Sequence, residues 1–315
     1  MSEPRACIAI TTKNRKDELR KAVASAFTQS VPVEVLIVDD GSDDGTSEMI
    51  RAEFPTSKHP TLKLDRNERS LGLIAQRCRF PGLTNCPFIF SIDDDAILVS
   101  PNTVEQTLKE FEHPRVGVVA IPYIDVNYGP DVKQRAPANP PVASGDFWVS
   151  EQYRGTAHAL RRDVFVALGG YRPLLIRQGE EMDYCIRMLD AGYVVRLGNA
   201  DPIHHMESPR RSRPQISMYA GRNHVLFAWH NVPMPQLLLH MPATVAKQLK
   251  AGVREKHVPH SLQGLARGMG LSLSKELARR APVNRSTYLF SRRLRKQGPF
   301  LLSQIEKELA PMKAV

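Results

Sequence analysis

Residues 36–46, "LIVDDGSDDGT", set four aspartates and two glycines directly behind an apolar run. Asp, Ser and Gly together favour a turn that feeds a helix N-terminus. The preceding "VEVLIVDD" has the β-branched density of a buried strand. A calcium loop is the rival reading, because Asp40, Ser42, Asp44 and Gly45 fit positions one, three, five and six of the EF-hand pattern. Position twelve then falls on Arg51, where a carboxylate is required, and the frame begun at Asp39 puts Asp44 where glycine must stand. The calcium loop fails. A P-loop fails too, since GxxxxGK[ST] occurs nowhere, and "TTKNRKD" stands where a dinucleotide site would carry GxGxxG. Phosphates bound here need another counter-charge, and a divalent metal supplies one.

Working outward, short β-rich runs alternate with helical patterns. "ACIAITT" precedes a helix from about Lys16, "VEVLIVDD" one from about Ser42, and "TLKLDRN" one around residues 72–79. "PFIFSIDDD" follows, then a helix from about Asn102, then "VGVVAIP". Such alternation predicts a mostly parallel sheet with helices on its faces, and ligands in such sheets sit at the carboxyl ends of the strands. The acids gather there: Asp39 and Asp40 after one strand, Asp93, Asp94 and Asp95 after another. Two acid clusters on neighbouring strand ends repel unless a cation or a ligand joins them.

Further on, "YIDVNYGPDVKQRAPANPPVASGDF" (residues 123–147) reads as a long irregular loop, assigned to the acceptor side or a lid. "GTAHALRRDVFVALGGY" reads as a strand, a short helix and a Gly-Gly stop, and "GEEMDYCIRMLDAGY" as a helix stopped by Gly192.

The bulk composition bounds the rest. The four cysteines show no CxxC spacing, which favours reduced thiols and a cytoplasmic setting. "MSEPRACIAI" carries no export signal, and "PMPQLLLHMPATVA" is too broken by proline and histidine to span a membrane. Residues 241–315 hold 15 Lys+Arg against 4 Asp+Glu, so a near-neutral body carries a basic tail suited to phosphate-rich partners such as anionic lipid or nucleic acid.

"AITTKNRKDEL", "LIVDDGSDDGT", "RNERSLGLIAQR", "FIFSIDDDAIL" and "GEEMDYCIRMLDAGY" occur in the order and approximate spacing of the family 2 inverting glycosyltransferases, which this chain resembles over about residues 6–206. The resemblance implies an α/β chain with a GT-A type, Rossmann-like, mostly parallel central sheet flanked by helices. It gives a nucleotide-sugar-binding catalytic domain over residues 1–220 and leaves a basic, mostly helical C-terminal region over 221–315. It also implies a UDP- or dTDP-linked sugar donor, a saccharide or lipid-linked acceptor, and Mn2+ or Mg2+ as cofactor.

The same resemblance assigns roles. Thr11 and Thr12 meet the nucleoside, Asp40 accepts the imide N–H of a uracil or thymine ring, and Asp39 supports it. Asn14, Arg15, Arg69 and Arg77 are candidates for phosphate or loop contacts. Asp93 and Asp95 match a DxD element with Asp94 between them, and alternation along extended chain puts Asp93 and Asp95 on one side and Asp94 on the other. Asp95 is the expected metal ligand, with Asp93 reaching ribose or the metal's water. His204 or His205 after the last strand adds a further ligand, which favours Mn2+. Gly155, Thr156 and Ala157 line the sugar pocket with Glu180. The general base falls on Glu181 in "GEEMD", where the family usually has Glu-Asp, with Asp183 as fallback; the helix dipole keeps a carboxylate there ionised.

Beyond residue 220 the resemblance thins. Leu262, Leu265, Ala266, Met269, Leu273 and Leu277 share a helical face, with Arg267, Lys275 and Arg279 away from it, although three glycines weaken the pattern. That face predicts either packing on the catalytic domain or peripheral contact with an anionic membrane on the inner side of the plasma membrane. Two rival functions fit the sequence less well. A nucleic-acid-binding protein lacks an aromatic-basic motif here, and its phosphates would be repelled by the strand-end acids. A sugar-nucleotide nucleotidyltransferase needs a glycine-rich basic loop that "TTKNRKD" does not provide.

Overall fold

The computed structural model describes residues 3–139, 143–207, 213–274 and 276–315. Its first half is a run of strand and helix pairs: β1 (Ala6–Thr12), α1 (Lys16–Ala26), β2 (Val33–Asp39), α2 (Thr46–Glu53), β3 (Leu62–Arg66), α3 (Leu73–Leu83) and β4 (Phe88–Asp93). Then come β5 (Ala96–Ile97), α4 (Thr103–Lys109), β6 (Val116–Ala120), β7 (Tyr123–Asp125) and β8 (Val132–Lys133). They are followed by β9 (Trp148–Ser150), β10 (Ala157–Arg161), α5 (Arg162–Ala167), α6 (Glu180–Asp190), β11 (Val194–Leu197) and β12 (Ile203–His205). The chain ends with α7 (Arg213–Asn231), α8 (Gln236–Arg254), α9 (Val258–Ser272), α10 (Arg285–Gln297) and β13 (Phe300–Leu301).

The main sheet has the order β13-β9-β11-β6-β10-β4-β1-β2-β3. Its β4-β1-β2-β3 portion is parallel, as the strand and helix alternation predicts. Every residue of β1 is buried, because helices cover both faces. Beyond β4 the pairing is mixed: β10 runs antiparallel to both β4 and β6, and β11 is parallel to β6. The reversal follows from the long excursion between β6 and β10, which returns the chain to the sheet from the opposite end.

That excursion is not the structureless loop expected over residues 123–147. β7 and β8 pair with each other, β7 pairs with β12, and β12 pairs with β5, which builds a second sheet over the carboxyl ends of the first. Short strands of two or three residues carry too little alternation to be read locally. Helix starts shift slightly as well: α2 begins at Thr46, because Asp44 accepts from the Thr46 N–H and Oγ1 and holds the preceding residues as a turn.

The expected division at residue 220 cuts through α7, a continuous helix from 213 to 231. The chain then returns, since β13 pairs with β9 at the edge of the main sheet. At Gly192, φ of +84° suits the residue after a helix end, and an added Cβ would lie 2.6 Å from the carbonyl oxygens of Ala310 and Pro311. The glycines of α9 also have a packing reason. A Cβ on Gly264 would meet the Met218 carbonyl and one on Gly268 would meet Val225, so α7 and α9 touch backbone to backbone. Leu265 is buried there, whereas Leu262, Ala266, Met269, Leu273 and Leu277 are exposed, so the expected single stripe is split. Lys275 lies outside the described residues.

Candidate active site

β1, β2 and β4 end side by side, with Thr11 opposite Asp93 and Thr12 opposite Asp39 in register. The acids at these ends, and the residues that follow them, hold the site. Asp39 is fully buried and accepts from the Ser42 N–H (2.9 Å) and from Ser47 Oγ (2.7 Å), so it braces the turn after β2. Asn14, at φ +53°, donates its N–H to Ser42 Oγ and accepts from the Asp43 N–H. It is a tie between two loops and not an open phosphate ligand.

Asp40 departs from its expected role. Its carboxylate accepts from Asn67 Nδ2, Ser70 Oγ, the N–H groups of Leu71 and Gly72, and Gln76 Nε2. Five donors fill the roughly four lone-pair sites of a carboxylate. Burial alone would raise this carboxyl, but the hydrogen bonds outweigh it and hold Asp40 below the usual carboxylate range. It is therefore not free to accept an imide N–H in this conformation; it anchors residues 67–76. Arg69 is exposed, with its backbone packed against Gly41.

The second acid cluster divides as the pleat predicts. Asp94 points to Thr12, whose Oγ1 donates at 2.8 Å, and to Arg15 Nη1 at 2.6 Å. Burial pushes the Asp94 carboxyl up to about 7 despite the Arg15 charge. Arg15 also donates Nη2 to Asp95 Oδ2 at 2.6 Å, so its guanidinium bridges the two acids. Asp95 and Asp93 face His205: its Nε2 lies 3.4 Å from Asp95 Oδ1 and 3.9 Å from Asp93 Oδ2. Burial would raise Asp95, yet His205 and Arg15 hold it well below the ordinary range.

His205 is the histidine of the pair that joins the acids. Strand alternation turns His204 away, opposite Ile97 and outside the cluster. His205 Nδ1 lies 2.5 Å from Oδ1 of Asp125, its direct neighbour across the β12–β7 pairing. Asp125 in turn pairs with Lys133. Burial alone would lower His205, but Asp95 and Asp125 carry it up to about 9. Asp125 was missed in the sequence because "YIDVN" falls inside the stretch read as loop; only the tertiary pairing of β7 with β12 brings it to the histidine.

Ligand atoms of Asp93, Asp95 and His205 lie within 4.8 Å of one another. The buried His205 Nε2 finds no hydrogen-bond partner of normal geometry among the described residues. Two carboxylate oxygens and an imidazole nitrogen fit a divalent cation, and a carboxylate on the far ring nitrogen is the usual support for a metal-binding histidine.

The opposite wall is built on α6. Glu181 Oε1 accepts the Gly155 N–H at 3.0 Å. Glu180 is buried against Arg77 at 3.2 Å, and burial together with its neighbour Glu181 pushes its carboxyl upward. Arg77 is buried and also donates to Asp93 (2.7 Å) and to the Gly155 carbonyl (3.0 Å). It braces the site and is not exposed to a phosphate. Thr156 Oγ1 donates to Asp93 Oδ2 at 3.1 Å, and Ala157 is fully buried in β10. Asp183 is not a base: it is 1 % exposed and enclosed by Arg172, Arg187 and Asn231 Nδ2. Asp93 thus belongs at once to the cluster with Asp95 and His205 and to a chain of contacts that runs through Arg77 and Gly155 to Glu181.

The fold is that of GT-A glycosyltransferases. A mannosyltransferase from Pyrobaculum calidifontis in complex with GDP-Man and Mn2+ superposes with a TM-score of 0.57 at 17% identity, over 93% of this chain and 85% of that one. TarS residues 1–349 from S. aureus in complex with UDP-GlcNAc superposes with a TM-score of 0.60 at 12% identity, over 92% and 87%. In sequence, the succinoglycan biosynthesis protein ExoU of Rhizobium meliloti (strain 1021) is 34% identical over 89 residues. That match takes in 28% of this chain and only 25% of ExoU. The Glycosyl transferase family 2 model matches residues 7–175. The chain belongs to glycosyl transferase family 2.

Proposed function

We propose that this protein is an inverting glycosyltransferase that moves a hexosyl or rhamnosyl group from a UDP- or dTDP-linked donor to a hydroxyl of a saccharide or lipid-linked acceptor. The observation that carries the reading is the chain of contacts that links the Asp93, Asp95 and His205 cluster through Arg77 and Gly155 to Glu181. Two structural neighbours, one in complex with GDP-Man and one with UDP-GlcNAc, support a nucleoside-diphosphate sugar as the donor and leave its base open.

In the proposed reaction, Glu181 accepts the proton of the acceptor hydroxyl. The freed oxygen attacks the anomeric carbon from the face opposite the nucleotide, the bond from that carbon to the diphosphate oxygen breaks, and the configuration inverts. A divalent cation held by Asp93, Asp95 and His205 would stabilise charge on the departing diphosphate; Mn2+ suits the nitrogen ligand better than Mg2+. Arg15, hydrogen-bonded to Asp94 and Asp95, stands beside the same diphosphate position. The donor base is placed by this reading at the ends of β1 and β2 beside Thr11, where Asp40 holds residues 67–76 in position. Gly155 lets Arg77 and Glu181 close on the backbone, because a Cβ there would sit 2.7 Å from both Arg77 Nη1 and Glu181 Oε1.

Screening UDP-, dTDP- and GDP-sugars with Mn2+ for release of the free nucleoside diphosphate tests the reading, with the anomeric configuration of the product read by NMR. Release of pyrophosphate instead would favour the nucleotidyltransferase. Among the described residues no helix is long and apolar enough to cross a membrane. The proposed setting is the cytoplasm, with peripheral contact through the C-terminal region at the inner face of the plasma membrane.

A further inference from the structure

α8 and α9 form a helical hairpin through the short link at residues 255–257, and Gly252 packs on Ser261 beside that turn. The start of α8 and the end of α9 therefore lie together at the far end. α7 reaches the same end: Trp229 Nε1 donates to the Glu276 carbonyl at 3.1 Å, and Arg280 donates to the Val232 carbonyl at 2.7 Å. α10 joins them, since Tyr288 Oη lies 2.9 Å from His240 Nδ1. Six large apolar side chains stand in solvent at this one end: Met234, Leu238, Leu239, Leu273, Leu277 and Leu289, from 51% exposed at Leu289 to 81% at Leu239.

Cations stand beside them. Of the thirteen Lys and Arg in residues 232–297, Lys247, Lys250, Arg254 and Lys256 lie towards the α8–α9 link, with Glu255, and Arg293 and Arg295 pair with Glu308 and Glu151. Exposed Arg285 and Arg292 stand four residues before and three after Leu289, on the same face of α10, and exposed Arg279, which pairs with Glu276 at 3.3 Å, follows Leu277 by two.

From this arrangement we infer that the α7–α10 end docks on an anionic lipid surface. The apolar side chains enter the boundary between headgroups and acyl chains, and the arginines sit on the phosphates. A second copy of the chain would set one ring of arginines against another, and a nucleic acid would leave six apolar side chains in water. The docking end is also placed for use by the proposed transferase. Asn231, three residues before Met234, donates to Asp183 at 2.8 Å, so the docking end packs on α6, the helix that carries Glu181. The use of this end to bring a lipid-linked acceptor to the enzyme rests on the transferase reading, whereas the docking itself does not.

The full-length protein is tested by flotation with vesicles of phosphatidylcholine alone and of phosphatidylcholine mixed with phosphatidylglycerol. Binding to the mixed vesicles only, weakened by salt, is expected. The double variant Leu238→Glu, Leu239→Glu is expected to bind those vesicles at least about tenfold less well, and Arg285→Glu, Arg292→Glu to weaken binding similarly. Circular dichroism and Mn2+-dependent UDP binding should match the wild type in both variants, which separates docking from the transferase reading. Equal binding to both vesicle types, no binding to either, or unchanged binding by the variants would overturn the inference. So would a concentration-dependent dimer in light scattering that the Leu238→Glu, Leu239→Glu variant abolishes.

Discussion

Oδ1 of Asp125 lies 2.5 Å from Nδ1 of His205, directly across the parallel pairing of β7 with β12. The contact fixes the ring so that Nε2 points at Asp93 and Asp95. Removing such support typically costs 10–100-fold in metal affinity. Asp125→Ala should therefore weaken Mn2+ binding about 10–100-fold in an electron paramagnetic resonance titration, whereas Lys133→Ala, which removes only the outer partner of Asp125, should change it little. Wild-type affinity in Asp125→Ala would show that the aspartate does not orient the ligand.

Glu181 and Asp183 share the first turn of α6 but should fail differently. Glu181→Gln removes the proposed base and should lower kcat about 10²–10⁴-fold with donor binding retained. Asp183 is enclosed by Arg172 and Arg187, so Asp183→Ala strands two cations and should cost roughly 3–5 kcal/mol in urea unfolding. Equal kcat for Glu181→Gln and the wild type would remove Glu181 from the mechanism.

Gly155 lies where Arg77 and Glu181 both close on the backbone. Gly155→Ala must displace either the Arg77 guanidinium or the Glu181 carboxylate, each 2.7 Å from the new Cβ. Steady-state kinetics should show kcat/KM reduced by about tenfold or more, since misplacement by about 1 Å costs on the order of 10²-fold. Unaltered kinetics would mean that neither group needs its present position.

Glu110 gives a pH signature away from the chemistry. Burial pushes its carboxyl up to about 7, against the opposing Asn199 N–H bond and the Arg196 charge. The folded protein then keeps a proton that the unfolded chain releases near its ordinary value of 4.5. Rising pH through that window erodes the contribution of this group to stability. Thermal melts of Glu110→Gln should lose less stability between about pH 4.5 and 7 than the wild type does. Parallel curves for the two proteins would refute the assignment.

The parallel half of the sheet was legible because each of its strands is an apolar run closed by turn residues. β7, β8 and β12 were not, since strands this short exist only through partners far along the chain. The same limit governs the site. Asp93 and Asp95 could be placed from alternation alone, but the choice of His205 over His204 depends on β12 lying between β5 and β7. The saturation of Asp40 was equally hidden, because its five donors come from residues 67–76, whose approach no local pattern encodes. Arg77 was legible as a cation but not as a brace; its three acceptors lie on β4, on α6 and just before β10.

Calorimetric titration of UDP into the protein, with and without Mn2+, bears most directly on the claim that Asp93, Asp95 and His205 hold the cation through which a diphosphate binds. The wild type should bind UDP at least about tenfold more tightly with Mn2+, and Asp95→Ala and His205→Ala should lose that gain. Equal UDP affinity with and without the metal, or an undiminished gain in both variants, would contradict it.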